Sequence, residues 1–438
     1  MSSVQRPSDD SLRKARTSLR SLVSDGPSHF PSLNLVADAI RIQLEKRGRV
    51  AILYVHLEHY GRLEPMFGWR IFADILDAVA ASLEGMAGST LRQLDAVSDF
   101  TLTDDAFIVL LSPPRTGDVI SDYDLAAVTR RVYERLQSLL LNDLAPGVYD
   151  RVHPTVGAAV LSNDDAITFE QSLERGIALA MQAADDQATA YHAELERTLA
   201  DCIDRGELEP LFEPVVDAAA ETVIGYRSSV RGPFHSPLRL PDVLLDVAQH
   251  STLLPSYGVV ARMATVNAAS GLRPDDLLFL CCAAAELPNA AVVALSEFYA
   301  LNSALVPQHV VFELDADELG VNTASTLRTL ADVRGMGFQL CFSGLGAQYA
   351  TLELIAEARP EFLCLDPVLL TSLGADPTTV DVMQLLVRFG DRVGAQLIAT
   401  GVQDAEQQHL LARSGVELYC GEHFARSDTR LPSVSFRR

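Results

Sequence analysis

Short apolar runs alternate with stretches of helical periodicity along most of the chain. In the first half, β-branched and apolar residues predict strands at 50–57, 91–102, 107–111 and 155–161. Between them the periodicity predicts helices from residue 35, over 69–83, over 123–141 and from residue 169. Strands mixed with crossing helices are typical of an α+β domain whose helices pack against a central sheet.

The second half has a more regular pattern, in which short apolar segments are separated by amphipathic ones. The predicted strands are 211–215, 225–231, 277–282, 310–314, 338–343, 362–366, 396–400 and 418–421. Eight such strands with helical material between them predict a (β/α)8 barrel. Because functional groups of such barrels lie at the C-terminal ends of the strands, those ends are where a site is expected.

These patterns predict a flexible leader at 1–34, a sheet domain at 35–184, a helical linker at 185–206 and the barrel at 207–438. The leader contains Pro27 and Pro31, and its basic residues allow either a disordered segment or a docking tail. The linker has no Pro or Gly through 185–203. It is interpreted as a structural connection, with a signalling lever as the alternative.

The composition and charge of the chain exclude several kinds of function. The 438 residues are 48% hydrophobic and 21% charged, and the net charge of -23 argues against nucleic-acid binding. The apolar runs are too short for a membrane span, and the charged N-terminus does not resemble a secretory signal, so a cytoplasmic protein is predicted. The six cysteines form no CxxC pair, so neither a zinc ribbon nor a thioredoxin-like motif is indicated.

The predicted barrel resembles EAL-type cyclic-di-GMP phosphodiesterases from about residue 207 to residue 426. Each motif is short, but their order and spacing together are specific. The segments that carry the resemblance are 211–217, 225–231, 278–282, 312–315, 339–352, 363–366, 399–403 and 420–424. The resemblance implies a barrel whose strand ends, in active members, hold two divalent metals that generate the attacking water.

The residues that would hold those metals are almost all replaced. The positions expected to carry the metal ligands and the catalytic lysine and glutamate are Arg227, Cys281, Glu313, Ser343, Gly344, Cys364 and Thr400. Of these positions, only Glu313 carries the residue that the family has there. Asp366, two residues after Cys364 at the position of the lost lysine, also matches the family. One carboxylate cannot replace the cage of a hard cation, so neither a metal, nor a cofactor, nor hydrolysis is expected. Arg227 is predicted to fill the metal position by pairing with Glu313.

Binding of cyclic di-GMP without hydrolysis is a separate possibility. Arg231 occupies the position of a phosphate-contacting arginine, so Arg231, Glu313 and Asp366 are the candidate ligand residues. Glu213 and Cys420 stand where the resemblance implies ligand-contacting glutamines. Cys281, Cys364 and Cys420 all replace strand-end positions, either as a convergent thiol group for a soft metal or as small residues that fill a disused pocket.

The first domain resembles GGDEF-type diguanylate cyclases over about 35–190, with its own functional positions replaced. His56 stands for a metal-binding Asp, Glu64 for a guanine-recognising Asn and Ala183 for a phosphate-binding Lys. The signature hairpin reads Thr-Asp-Asp-Ala-Phe at 103–107, without the glycines that let the backbone approach a nucleotide. Arg92 and Asp95 have the RxxD form of the inhibitory site of that family. They lie two residues farther from the hairpin than that site does in the family.

The sequence therefore predicts a bacterial, noncatalytic regulatory or scaffolding protein with a degenerate GGDEF-like and a degenerate EAL-like domain. Its expected partner is one or more proteins that the sequence does not identify, and a homodimer is expected from the tendency of both families to dimerise. The alternative is a cyclic-di-GMP receptor that uses Arg231. A residual enzyme would need chemistry that the visible residues do not supply.

Overall fold

A computed structural model describes residues 33–59, 63–86, 90–91, 96–99, 106–111, 121–144, 146–164, 166–286, 305–316, 319, 323–345, 352–365, 367–371, 377–434 and 436. The chain divides into two compact units at the boundary between Glu194 and Leu195, and the short stretch Glu64–Gly68 is grouped with the second unit. The predictions for the leader up to residue 32, for Arg92 and Asp95, and for Asp366 lie outside the described residues.

The first unit is a four-stranded antiparallel sheet with helices. Its elements are α1 (Leu33–Arg47), β1 (Arg49–His59), α2 (Leu63–Gly85), β2 (Ala96–Asp99), β3 (Ala106–Leu111), α3 (Asp122–Asp143), α4 (Pro146–Tyr149), β4 (Val152–Ser162) and the start of α5 (Phe169–Arg205). The strand order is β2-β3-β1-β4. The domain predicted as α+β from its mixed periodicity therefore has helices and a central sheet.

Helix α5 packs directly on the edge strand β4. A Cβ atom at Gly157 would lie 1.8 Å from the Ala180 carbonyl oxygen, so only glycine allows this approach of helix and strand. Ile52 on β1 and Leu161 on β4 are buried in the same apolar cluster as Ala180. The helix includes residues 185–205 of the linker predicted at 185–206, and it continues across the boundary between the units.

The second unit is a closed eight-stranded barrel. Its elements are β5 (Glu209–Asp217), β6 (Thr222–Arg231), α6 (Pro241–Gln249), α7 (Leu254–Ala268), β7 (Leu277–Cys281), β8 (Val310–Asp315), α8 (Thr323–Gly335), β9 (Gln339–Leu345), α9 (Leu352–Ala358), β10 (Phe362–Leu365), α10 (Pro367–Thr371), α11 (Pro377–Val393), β11 (Gln396–Ala399), α12 (Ala405–Ser414) and β12 (Leu418–Tyr419). The eight predicted strands coincide with these eight strands, which confirms the barrel.

One strand departs from the uniform strand-helix alternation that the sequence suggested. β5 runs antiparallel to both of its neighbours, β6 and β12, and a tight turn joins it to β6 where a helix was expected. Apolar periodicity carries no information on strand direction, so the sequence could not reveal this reversal. Its consequence is that the start of β5 lies level with the C-terminal end of β6, and Glu209 pairs in register with Arg231.

The inside of the barrel is filled by side chains. A layer of buried residues from different strands packs across the barrel: Val215, Phe279, Val311, Cys341, Phe362, Cys364, Ile398, Leu418 and Cys420. Such layers make the interior of this kind of barrel a packed core and not a pore, so a site must lie at the strand ends above the layer. Across the described residues, no helix is both long enough and apolar enough to span a bilayer.

Candidate functional site

The barrel mouth, formed by the C-terminal ends of the barrel strands, holds a buried ion pair. Arg227 extends from β6 and Glu313 from β8, with β7 between them. The Arg227 Nε donates to Glu313 Oε2 at 2.8 Å, and its Nη2 donates to Oε1 at 2.5 Å. This bidentate geometry is the strongest that a guanidinium forms with a carboxylate. The ion pair predicted from the sequence is therefore confirmed.

A second carboxylate lies on the other side of the guanidinium. Glu213 faces Arg227 across the β5–β6 ladder, with Oε2 of the glutamate 3.5 Å from Nη1 of the arginine. Burial raises the pKa of Glu213, and the positive charge of Arg227 acts in the opposite direction. For the guanidinium itself, burial disfavours the charge, but Glu313, Cys420 and Cys364 together outweigh burial and raise the pKa of Arg227 above its usual value. A permanent cation thus lies between two acidic side chains.

Three thiols lie below and beside this ion pair. Arg227 Nη1 lies 3.7 Å from Cys420 Sγ, and the Sγ atoms of Cys341 and Cys364 are 3.4 Å apart. The sequence pointed to Cys281 as the companion of Cys364 and Cys420, but the structure places Cys341 beside Cys364. Cys281 is exposed and lines a different cavity. Cys341 was missed because it matches no motif position, although it precedes Ser343 by two residues and so shares its side of β9.

Among the described residues, Glu313, Cys341 and Cys364 place possible ligand atoms within 4.8 Å of one another. A soft metal would need thiolates there. Burial raises the pKa values of Cys341 and of Cys420, which keeps these thiols protonated, and Glu313 already binds Arg227. The cluster in this state is a set of small buried side chains around an ion pair, and it does not fit the requirements of a metal site.

At two of the remaining replaced positions, a side-chain hydroxyl group donates a hydrogen bond to a backbone carbonyl oxygen. Ser343 Oγ donates to the Leu314 carbonyl oxygen at 3.3 Å, and Thr400 Oγ1 donates to the Leu365 carbonyl oxygen at 3.0 Å. Gly344 has a φ of 81°, a left-handed conformation that glycine adopts without strain. These positions offer no carboxylate to a cation.

Arg231, the candidate phosphate contact, already has a carboxylate partner. Its Nε and Nη2 donate to Glu209 Oε2 at 2.8 and 2.7 Å. The two side chains are 31% and 50% exposed, so the pair is accessible to water, and an incoming phosphate would have to compete with Glu209. This partner could not be inferred from the sequence, because it depends on the antiparallel register of β5 and β6.

A cavity of about 190 Å³ lies next to the end of β6, lined by residues of β6, α6, α7 and β7. Its wall includes Tyr257, Cys281 and the ion pair between Arg262 and Glu286, whose side chains are each only 3% exposed. Gly258 makes room for this pair, since a Cβ atom there would lie 1.7 Å from Glu286 Oε1. Of these lining residues, Cys281 falls on a motif position of the sequence, whereas Tyr257, Arg262 and Glu286 fall on none.

The replaced cyclase-like positions lie on three different elements, and two of them, His56 and Ala183, belong to the first unit. His56 lies on β1 with its Nδ1 3.6 Å from Glu58 Oε1, Glu64 is in the first turn of α2, and Ala183 lies on α5. The first three residues of the hairpin at 103–107 lie outside the described residues. In the described part of this unit, none of these positions supplies a phosphate-binding lysine or a metal-binding aspartate.

Comparison with known proteins identifies the barrel. A family model described as EAL domain matches residues 194–427. The cyclic di-GMP phosphodiesterase NbdA of Pseudomonas aeruginosa is 21% identical over 403 residues, which cover 87% of this chain and 49% of NbdA. The blue light- and temperature-regulated antirepressor BluF of Escherichia coli is 22% identical over 227 residues, 51% of this chain and 56% of BluF.

The chain thus spans about half the length of these two curated relatives. Among solved structures, the EAL domain of Xanthomonas citri FimX in complex with c-diGMP matches with a TM-score of 0.51 and 14% identity, and it covers 57% of this chain and all of that domain. This likeness shows a shared fold. The family model begins at residue 194, so the resemblance of the first unit to diguanylate cyclases stays a prediction.

Proposed function

Because the chain belongs to the EAL domain family, we propose that it is a noncatalytic regulatory or scaffolding protein of cyclic-di-GMP signalling that acts through contacts with other proteins. The observation that carries this proposal is the bidentate ion pair between Arg227 and Glu313 at the barrel mouth. The proposed place of action is the bacterial cytoplasm. The six cysteines, all among the described residues, form no disulfide, as is usual in a reducing compartment.

The chemistry of phosphodiester cleavage gives the reason for excluding catalysis. A pair of divalent cations needs several carboxylate or amide oxygens and a water molecule between them. At this mouth, the Glu313 carboxylate is neutralised by a side chain that stays protonated at any pH the protein survives. A divalent cation placed beside Glu313 would be repelled by the Arg227 guanidinium. Hydrolysis by metal-activated water therefore has no place to occur.

The names of the relatives are compatible with either a catalytic or a regulatory role. NbdA is named as a phosphodiesterase, whereas BluF is named as an antirepressor, which is a regulatory role. The first unit fits the regulatory class as well, because its cyclase-like positions carry His56 and Ala183. We assign both units to a protein whose folded surfaces are its functional parts and whose partner proteins remain to be named.

A cyclic-di-GMP receptor is the second candidate, and two observations favour it. Arg231 lies at the end of β6, and the cavity of about 190 Å³ is lined by residues just before it on the same strand. A guanidinium can bind a phosphate without a metal. The pairing of Arg231 with Glu209 weighs against this candidate, because the phosphate must displace a carboxylate.

Calorimetric titration of the full chain separates the two candidates. The scaffold proposal predicts no saturable heat with manganese chloride and none with cyclic di-GMP. A micromolar or tighter dissociation constant for cyclic di-GMP that is abolished by Arg231→Ala would establish the receptor. Arg130→Ala is the matched control, because Arg130 is an exposed arginine of the first unit that pairs with Glu134. Saturable manganese binding by the wild-type chain would contradict the noncatalytic proposal.

A further inference from the structure

Two arginines of β6 lie on the same face of the β5–β6 ladder, and each of them faces a glutamate of β5. The register places Glu213 opposite Arg227 and Glu209 opposite Arg231. Side chains at every second position of a strand point to the same side, so these four side chains form one row that ends at the barrel mouth. Each positive charge that β6 brings to the mouth is therefore met by a negative charge of β5.

The two pairs of this row differ in how easily they can open. In the inner pair, Arg227 also binds Glu313, whose side chain is only 9% exposed, so opening would leave a buried charge without its partner. In the outer pair, the side chains of Arg231 and Glu209 are 31% and 50% exposed. A pair that is accessible to water adds little to stability, so the outer pair can exchange its carboxylate for another anion without loss of the fold.

Glu209 occupies one edge of the Arg231 guanidinium. The Nε and Nη2 atoms of Arg231 both donate to Glu209 Oε2, at 2.8 and 2.7 Å. Two neighbouring donors of this kind form the edge with which arginine binds two oxygens of a carboxylate or a phosphate. A phosphate can use this edge only after Glu209 has left it.

The backbone holds Glu209 in place from both sides. Helix α5 ends directly before Gly206, which has a φ of 64°, the left-handed conformation in which glycine often ends a helix. The N–H group of Glu207 donates to the Cys202 carbonyl oxygen at 2.9 Å, so the connection from helix to strand is short and hydrogen-bonded. Since β5 begins at Glu209, the backbone that presents its carboxylate to Arg231 is already ordered by the ladder.

We propose that Glu209 closes an anion site at Arg231, where its carboxylate takes the place of a ligand phosphate, and that removing this charge opens the site to a phosphate of cyclic di-GMP. The inference rests on the second candidate function, the receptor, and names what keeps that receptor closed. The carboxylate is tethered beside the arginine, and it also repels an incoming phosphate. Together these two effects weaken binding by the wild-type chain on the order of tenfold.

Equilibrium dialysis of the full chain with cyclic di-GMP tests this proposal. Glu209→Gln keeps the size of the side chain and removes its charge. Its dissociation constant should lie at least about tenfold below that of wild type, or below the highest ligand concentration if wild type does not saturate. Adding Arg231→Met to this variant should abolish the gain. Glu134→Gln is the matched control, since Glu134 is an exposed glutamate that pairs with Arg130 in the first unit, and it should bind no better than wild type.

The urea midpoint of Glu209→Gln should stay close to that of wild type, because the exposed pair adds little to stability, so unfolding cannot account for the result. If Glu209→Gln binds cyclic di-GMP no more tightly than wild type, the proposal is overturned, while the noncatalytic function, which needs no ligand, is unaffected. A gain in affinity that survives Arg231→Met would also overturn it, because the ligand would then bind elsewhere.

Discussion

Replacing Arg227 by methionine removes the cation at the barrel mouth while keeping most of the side-chain volume. The substitution leaves Glu313, which is 7% exposed, facing Glu213 without the guanidinium that now lies between them. A buried carboxylate that loses its partner must either remain charged in a poorly solvated site or take up a proton. Both outcomes cost stability, so the variant is expected to have a less stable barrel.

The size of the effect follows from the burial of the two partners. Breaking a fully buried ion pair by removing one member costs about 3 to 5 kcal/mol. Here the Arg227 side chain keeps 24% of its exposure and the Glu313 side chain keeps 9%, so water shields part of the interaction. The expected loss in the free energy of unfolding is therefore about 2 to 4 kcal/mol.

Urea denaturation can assign this loss to the correct unit. All six cysteines belong to the second unit and five of them are buried, so pulsed thiol labelling follows the barrel, whereas far-ultraviolet circular dichroism also follows the first unit. We expect the thiol-labelling transition of the barrel to move to lower urea and the part of the circular-dichroism transition that comes from the first unit to stay in place. The two-state approximation holds for single domains, so the transitions of this two-unit chain are fitted separately.

Two further variants complete the test. Arg231→Met removes an arginine from the exposed pair with Glu209 and should cost about 1 kcal/mol or less. The double variant with Arg227→Met and Glu313→Leu removes both buried charges and should lie within about 1 kcal/mol of wild type, or above it. If Arg227→Met costs no more than Arg231→Met, the ion pair is not what stabilises the mouth, and the reasoning fails.

Two other predictions concern buried polar groups. Gly258→Ala should destabilise the barrel by about 3 kcal/mol, because the new methyl group would displace Glu286 from Arg262; Gly85→Ala, with open space around it, should change the urea midpoint little, and equal effects would contradict this. Burial lowers the pKa of His153 to about 4. The unfolded chain therefore binds more protons than the folded chain between pH 4 and 6.5, so the stability of the first unit, complete above pH 6.5, should fall by about 3 kcal/mol as the pH drops to 4. His153→Phe should lose less over this range, and parallel pH profiles of wild type and variant would contradict the prediction.

The strands of the barrel were predictable because each is a short apolar run between amphipathic segments. The strand predicted at 362–366, for example, is found as Phe362–Leu365. The direction of β5 was not predictable, since the same run of residues fits either direction. In the first unit, the strand predicted at 91–102 is found over Ala96–Asp99, where it pairs with β3, and residues 92–95 and 100–102 lie outside the described residues.

The residues of the candidate site could be predicted only where they fall on a position of a family motif. Arg227 and Glu313 both fall on such positions, and opposite charges there implied an ion pair. Cys341 and Glu209 fall on none, and their roles follow from which residues the closed barrel brings side by side. Spacing along the chain does not give the register between strands that are far apart in sequence, so these neighbours required the structure.

The measurement that tests the central claim most directly is hydrolysis of cyclic di-GMP by the full wild-type chain in magnesium and in manganese. An active EAL-domain phosphodiesterase serves as the positive control for the assay. With Arg227 bound to Glu313 and no carboxylate at Ser343 or Gly344, we predict no linear product above the rate without protein. Metal-dependent turnover that is proportional to protein concentration and is lost in Glu313→Gln would contradict the account.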